Sequence, residues 1–236
     1  MKRSDGRQFH ELRKIHFTPH AQKDPAGSVL VEWGLTRVLC SVMVEERSPP
    51  WMPPGQRTGW ITAEYVMLPG SSDKRISRDK SRNNGRTHEI QRLIGRSLRT
   101  CVDLAKIGEK TLQIDCDVLQ ADGGTRVASI TGAYLALRLA MHKWRLNVPA
   151  IAVAAVSLGI VDGRVLTDLN YSEDSTAEVD SNLVMNERGE FIELQSTAER
   201  ASFTRAQWDS LLSAGEDACR RVLQIQKGCL LEWGIS

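Results

Sequence analysis

The segment Thr111–Val118 alternates between polar and apolar residues without interruption. A period of two is typical of a strand with one face on a hydrophobic core, so four side chains are expected to point inward: Leu112, Ile114, Cys116 and Val118. The turn Asp122-Gly123-Gly124 ends this strand, and residues 127–137 are a run of small and apolar residues that is typical of a buried helix. A strand that leads through a glycine turn into a helix is therefore predicted for the middle of the chain.

Pairs of strand-like segments joined by short turns occupy much of the remaining chain. The predicted pairs are 28–33 with 37–44, 151–160 with 165–169, and 179–185 with 190–195, and residues 59–68 form a further strand. Helical periodicity covers residues 88–106, and a capping-box pattern at Thr204 opens a long amphipathic helix. Because the strands do not alternate regularly with helices, an α+β fold with a mixed sheet and packed helices is expected.

The composition limits the class of protein. With 236 residues, 41% of them apolar, the chain is expected to fold as a single domain over residues 1–236. The first seven residues contain no apolar signal region, and the longest apolar stretch, 148–161, is shorter than a bilayer span. The five cysteines are odd in number and widely spaced, which predicts neither a disulfide framework nor a zinc site. A cytoplasmic protein with no membrane association is expected.

Two turns that contain glycine and arginine each precede a predicted helix, at residues 83–87 and 123–126. The N-terminus of a helix favours an anion, because its first N–H groups lack acceptors and its dipole is positive there. Gly124 permits close approach of the backbone, while Arg86, Thr125 and Arg126 would add donors. Either turn alone fits an ordinary capped turn equally well, but two such turns could converge on one phosphate. The chain has neither a P-loop pattern nor a dinucleotide-binding glycine pattern.

An acidic segment, residues 173–180, precedes a predicted strand. Within it, Asp174 and Asp180 supply hard oxygen ligands that suit Mg²⁺ or Mn²⁺. A carboxyl group there could also act as a general acid if a neighbouring carboxylate raises its pKa. The alternative interpretation is a solvated acidic loop.

The formal net charge is only +2, so affinity for nucleic acid would have to come from a local patch of cations. Residues 69–85, called the basic arm below, contain such a patch, and the helix after it continues the stripe. The candidate RNA-binding residues are Lys74, Arg75 and Arg78 in the arm and Arg92, Arg96 and Arg99 in the helix. The helical arginines fit an RNA path and a subunit contact equally well.

Together these motifs resemble the ribonuclease PH family, the phosphate-dependent 3′ exoribonucleases that trim tRNA precursors. The resemblance covers nearly the whole chain. It is carried by residues 4–7, 27–32, 62–65, 85–99, 115–126, 159–163 and 168–180. The segments 85–99 and 115–126 are highly specific in combination.

The resemblance implies an activity, a fold and an assembly. It implies that Arg86, Gly124, Thr125 and Arg126 hold the attacking inorganic phosphate, and that Asp174 and Asp180 bind a divalent metal, expected to be Mg²⁺, with Asp180 assisting catalysis. It also implies release of nucleoside diphosphates, with reverse nucleotide addition possible. The implied fold is that of ribosomal protein S5 domain 2, and the implied assembly is a homohexameric ring built as a trimer of dimers.

The chain departs from the usual family pattern in three segments, of which residues 47–58 have an unusual proline-rich form. Val66 stands where glycine is usual, Ser196 also replaces a glycine, and Gly70 stands where the family has an arginine that is credited with tRNA contact. We expect Lys74 and Arg75 to compensate, so these changes bear on substrate choice more than on reaction type. The alternative function is that of a non-catalytic RNA-binding subunit of an exosome-like ring. The presence of Arg86, Arg126 and Asp180 argues against that alternative.

Overall fold

The computed structural model describes residues 3, 5–53 and 55–235, which form two sheets and a set of helices. The strands of the first sheet are β1 (Ile15–Pro19), β2 (Gly27–Trp33), β3 (Thr36–Glu45), β4 (Trp60–Met67) and β5 (Thr111–Gln120). Those of the second are β6 (Val153–Val161), β7 (Arg164–Thr167), β8 (Val179–Asn186) and β9 (Phe191–Ala198). The first sheet has the order β1-β2-β3-β5-β4, and the second has the order β7-β6-β8-β9. Because β4 runs parallel to β5 beside antiparallel pairs, the first sheet is mixed, as expected.

The predicted hairpins are confirmed. Strands β2 and β3 pair antiparallel across a tight turn at Gly34, and β8 pairs with β9. Asp162 and Gly163 join β6 to β7, and both have positive φ, 49° and 69°. Two successive residues with positive φ match the turn type whose twist suits a two-residue hairpin.

The helices are α1 (Arg78–Arg82), α2 (Gly85–Arg99), α3 (Leu104–Ile107), α4 (Thr125–Lys143), α5 (Tyr171–Asp174) and α6 (Arg205–Glu232). The predicted capping box of α6 is confirmed, because Thr204 Oγ1 accepts from the N–H of Gln207 and Gln207 Oε1 accepts from the N–H of Thr204. The basic arm is more ordered than the sequence indicated, because its residues 78–82 form α1, with Ser77 as the N-cap.

The prediction of one continuous helix over residues 88–106 is wrong. Helix α2 ends at Arg99, and α3 begins only at Leu104, after a cap formed by the Asp103 side chain. Between them, Val102 forms an isolated bridge with Ala150, and Cys101 O accepts from Ile151 N at 2.7 Å. The apolar periodicity continued through this break because buried side chains on both sides of it face the same core.

Helix α4 packs against β2 and β3 of the first sheet and against β6 of the second. A Cβ atom at Gly132 would lie 2.2 Å from Val31 Cγ2, so only glycine allows this helix to approach the sheet so closely. One hydrophobic core includes residues of α4 and of both sheets. Helix α4 is therefore held between the two sheets. No helix within the described residues is both long enough and apolar enough to span a membrane.

Candidate active site

All six residues predicted for the catalytic, phosphate and metal roles line a single cavity of about 530 Å³. They come from four separate elements: Arg86 from α2, Gly124, Thr125 and Arg126 from the start of α4, Asp174 from α5 and Asp180 from β8. Both the first-sheet half and the second-sheet half of the chain contribute to the wall. The fold thus brings together residues as far apart in sequence as 86 and 180.

The turn at residues 122–124 presents the N-terminus of α4 to this cavity. Gly123 and Gly124 have φ of 74° and 67°, which glycine adopts without strain. A Cβ atom at Gly123 would lie 2.5 Å from Leu169 O, so the turn also packs directly on the backbone that leads into α5. The first N–H groups of α4 lack acceptors within the helix, and the helix dipole makes this end positive. The cavity wall is therefore suited to an anion here.

The hydroxyl of Thr125 is held by a residue to which the sequence assigned no role. Tyr65 OH lies 2.8 Å from Thr125 Oγ1, and both side chains are buried. Burial raises the pKa of Tyr65, so the phenol remains protonated at neutral pH and can donate this bond. When Tyr65 donates, the hydroxyl proton of Thr125 is available to a ligand in the cavity. Tyr65 belongs to the 62–65 segment that carried the family resemblance.

Arg126 is held in place by a chain of hydrogen bonds. Its Nη1 donates to Gln195 Oε1 at 2.8 Å, and Gln195 Nε2 donates to Glu89 Oε1 at 2.9 Å. The Arg126 side chain is only 12% exposed. Arg86, in the first turn of α2, is exposed instead, and its helix is capped by Asn84, which accepts from Thr87 N at 2.8 Å. Sequence reasoning missed Gln195, because nothing in a local pattern shows that its side chain reaches Arg126.

Two half-buried carboxyl groups share the cavity with these arginines. Burial raises the pKa of Asp174, against the opposing effect of Arg86 and Arg126. Burial also raises the pKa of Asp180, and the charge of Asp174 raises it further, while Arg126 and Arg86 lower it. Because both arginines act on both carboxyl groups, the four charges form one electrostatic unit.

The donor set fits Mg²⁺ in part. Mg²⁺ is commonly bound by one or two carboxylates, with water and substrate phosphate filling the remaining positions. Asp174 and Asp180 supply two such carboxylates beside the proposed anion site. Within the described residues there is no cluster of three or more His, Cys, Asp or Glu side chains arranged around a metal position. A divalent ion would therefore need oxygen ligands from phosphate or water.

The six candidate RNA-binding residues lie outside the cavity wall. Lys74, Arg75 and Arg78 are exposed on the basic arm, whose residues Ser72 and Asp73 do line the cavity. On α2, Arg92 is exposed, whereas Arg96 forms an ion pair with Glu193 at 2.7 Å. Arg99 donates to Ile61 O at 3.0 Å, and its guanidinium carbon lies 4.7 Å from the centre of the Trp60 ring. The arm is thus adjacent to the cavity, while Arg96 and Arg99 make contacts within the chain.

A network of buried charges, which sequence reasoning also missed, lies behind the glycine turn. Its members are Arg3, Arg13, Asp168 and Glu173, all less than 9% exposed. Arg3 pairs with Glu173 at 2.6 Å, and Arg13 pairs with Asp168 at 2.6 Å. Three of the four lie in segments that showed the family resemblance or directly beside them, but their pairing requires the fold.

Sequence models of the two domains of the 3′ exoribonuclease family match consecutive parts of the chain. The model of domain 1 matches residues 11–142, and the model of domain 2 matches residues 152–218. The chain is 52% identical over 236 residues to a protein of Dehalococcoides mccartyi named ribonuclease PH, covering 97% of this chain and 98% of that protein. It is 51% identical over 240 residues to the protein of the same name from Saccharopolyspora erythraea, covering 98% and 95%.

Solved structures share the architecture. An Archaeoglobus fulgidus exosome with RNA bound to its active site contains a chain that matches with a TM-score of 0.82 and 22% identity, covering 94% of this chain and 92% of that one. A chain of an archaeal exosome core matches with a TM-score of 0.77 and 23% identity, covering 96% and 91%. At these identities the likeness shows the fold, and it confirms the α+β class expected from the sequence.

Proposed function

Because the chain belongs to the 3′ exoribonuclease family, we propose that its cavity uses inorganic phosphate to remove nucleotides from RNA 3′ ends, with tRNA precursors as the substrates. One observation carries the proposal: the glycine turn, both arginines and both carboxyl groups line the same cavity. Each product would be a nucleoside diphosphate, and each turn of the reaction would leave an RNA one nucleotide shorter. The reverse addition of nucleotides from diphosphates follows by microscopic reversibility.

The attacking phosphate needs cations more than it needs a base. Inorganic phosphate is already an anion at neutral pH, and it must approach a phosphodiester that is itself negative. Arg86, Arg126 and the N-terminus of α4 supply positive charge on one wall of the cavity. Thr125, held by Tyr65, adds a hydroxyl donor. These groups are fixed before the reaction, so they stabilise developing charge with little reorganisation.

The departing 3′ oxygen needs either a proton or a cation. A new bond forms between the attacking phosphate and the scissile phosphorus while the bond to the 3′ oxygen breaks. Asp180 could meet either need: its raised pKa favours the protonated carboxyl that can donate a proton, and in its ionised form it would supply a ligand oxygen beside Asp174. A divalent ion such as Mg²⁺, when held by Asp174 and Asp180, would stabilise negative charge on the leaving oxygen.

We assign RNA contact chiefly to the basic arm. Lys74, Arg75 and Arg78 are exposed, and the neighbouring residues of the arm, Ser72 and Asp73, line the cavity. An RNA strand that enters the cavity would therefore pass these three cations. On α2, the exposed Arg92 is the better candidate, since Arg96 and Arg99 already have partners. We also propose that residues 1–236 act as one unit and that a homohexameric ring of such units works in the cytoplasm.

The test is incubation of the purified protein with a tRNA that carries a short 3′ extension, in buffers with and without inorganic phosphate. The proposal expects shortened RNA and nucleoside diphosphates only when phosphate is present. Equal RNA loss in both buffers with release of monophosphates would refute phosphorolysis. Bound tRNA with no release in either buffer would support the second candidate, a non-catalytic RNA-binding subunit.

A further inference from the structure

Arg13 packs against the glycine turn at residues 122–124. Its side chain is 6% exposed and does not line the cavity. Its Nη1 donates to the carbonyl oxygen of Asp122, and its Nη2 lies 3.5 Å from the carbonyl oxygen of Gly123. A Cβ atom at Gly124 would lie 3.0 Å from the same Nη2, so the guanidinium is packed against the turn itself. Arg13 therefore contacts the residues that present the N-terminus of α4.

Asp168 fixes the orientation of this guanidinium. Its Oδ1 accepts from Arg13 Nη2 at 2.6 Å, and its Oδ2 accepts from the backbone N–H of Arg13 at 2.7 Å and from Trp33 Nε1 at 2.9 Å. Asp168 is fully buried and has a φ of 57°, a conformation that is uncommon for residues other than glycine. Its own N–H donates to Ser157 O at 2.7 Å. A strained residue that is held from several sides is a feature of sites where position matters.

The two held carbonyl groups determine where the amide protons point. A trans peptide unit is planar, and its N–H points opposite to its C=O. The carbonyl oxygen of Gly123 accepts from Thr36 Oγ1 at 2.7 Å and faces Arg13, so the N–H of Gly124 points to the other side of the turn. Gly124 itself lines the cavity. Arg13 and Thr36 thus set the direction of the Gly124 N–H, although neither of the two side chains lines the cavity.

We propose that Arg13 is a positioning residue for the phosphate: gripped by Asp168, it holds the carbonyl groups of the 122–124 turn so that the turn and the first turn of α4 present their N–H groups to the attacking anion. This inference rests on the proposed function. It predicts that phosphate affinity depends on the several fixed N–H donors of the guanidinium, and not on its charge alone. A lysine at this position keeps the charge but cannot grip Asp168 and the turn together.

The test compares full-length Arg13→Lys and Thr36→Val with the wild type. We expect both variants to raise the KM for phosphate, Arg13→Lys by roughly 10-fold or more, because a charge-assisted bond to the turn is lost. Turnover at saturating phosphate and the KM for RNA should change by less than about 3-fold, since the basic arm is untouched and lysine keeps the positive charge that acts on Asp174. Thr36→Val introduces no buried charge, so it decides the matter if Arg13→Lys fails to fold.

The matched control is Gln226→Met in α6. Gln226 is fully buried and its Nε2 donates to Thr131 O and Val153 O, so the substitution also removes buried hydrogen bonds, but it contacts no part of the turn. A variant that only loses stability should behave like this control and keep the wild-type KM for phosphate. A second readout is the rise in Tm with added inorganic phosphate, which should need a higher phosphate concentration in Arg13→Lys.

The outcomes separate the two proposals. If the wild type does not consume phosphate while it shortens RNA, the proposed function fails. If the wild type is phosphorolytic but the folded Arg13 and Thr36 variants keep its KM for phosphate and its phosphate-dependent Tm, the positioning role is overturned. An equal loss of turnover and phosphate affinity in the Gln226 control would also overturn it, because the effect would then belong to stability.

Discussion

Arg126→Ala removes a guanidinium from the cavity wall and leaves the glycine turn and α4 in place. In the folded protein, Nη1 of this group is engaged with Gln195 at 2.8 Å, and Glu89 lies 3.9 Å away. A guanidinium has five N–H donors, so others remain for an anion in the cavity. The substitution therefore deletes one pre-positioned charged donor and keeps the rest of the anion site.

The size of the effect follows from what remains. Loss of one pre-organised donor to a developing anion costs about 2.7–4 kcal/mol in the strongest cases. Here Arg86, Thr125 and the N-terminus of α4 stay in the wall, so the lower part of that range applies. We expect a loss of about 3 kcal/mol, which is on the order of 100-fold in kcat/KM for phosphate.

A second signature is a change in the pH profile. Arg126 lowers the pKa of both Asp174 and Asp180, so its removal raises both pKa values. If a protonated Asp180 serves as the acid, activity falls as the pH rises through its pKa. In Arg126→Ala that fall should therefore occur at a higher pH than in the wild type.

The assay measures initial rates against phosphate concentration and pH, together with the Kd for the same tRNA at one salt concentration. Arg205→Ala is the matched control, because it also removes one arginine but from an exposed ion pair with Asp209 in α6. We expect the control to match the wild type and Arg126→Ala to keep its RNA affinity. An unchanged kcat/KM for phosphate, or an equal loss of RNA affinity and turnover, would refute the assigned role.

The remaining predictions concern the acid, the hydroxyl pair and the arm. Asp180→Asn should abolish turnover yet raise Tm at pH 7, because burial raises the pKa of Asp180 and its ionised form destabilises the folded state. The gain in Tm should shrink as the pH falls through the folded-state pKa toward the ordinary value of 3.8. Normal turnover in this variant would contradict the catalytic role of Asp180. Tyr65→Phe should lower phosphate affinity by about 3- to 10-fold, because the bond to Thr125 is lost, and RNA binding should not change. Titration with phosphate measures this affinity, and a wild-type value would contradict the role of Tyr65. Replacing Lys74, Arg75 and Arg78 of the basic arm with alanine should weaken tRNA binding and flatten its dependence on salt concentration. An unchanged salt slope would show that the arm does not contact RNA.

The sequence predicted those structural elements that depend only on neighbouring residues. The alternation over Thr111–Val118 predicted β5, and the Asp162-Gly163 turn and the Thr204 capping box predicted a hairpin and a helix start. The break between α2 and α3 was missed, because the bridge from Val102 to Ala150 joins residues that are distant in sequence. Periodicity records which face a side chain takes, and it does not record where the backbone leaves the helix.

The candidate site was predicted in its parts but not in its supports. The glycine turns, the arginines and the aspartates each carry a local chemical signal, and the family resemblance indicated that they act together. Tyr65, Gln195 and Arg13 act through partners that lie at least 60 residues away in sequence. Their hydrogen bonds join separate elements and exist only in the folded chain. The raised pKa values of Asp174 and Asp180 depend on burial, which is likewise a property of the fold.

Transfer of a radioactive label shows whether inorganic phosphate is the nucleophile. The protein is incubated with an unlabelled tRNA that carries a 3′ extension and with ³²P-labelled inorganic phosphate, and the nucleotides released are separated. We expect the label to appear in the terminal phosphate of nucleoside diphosphates, in step with RNA shortening. Shortened RNA with all of the label still in inorganic phosphate would contradict it.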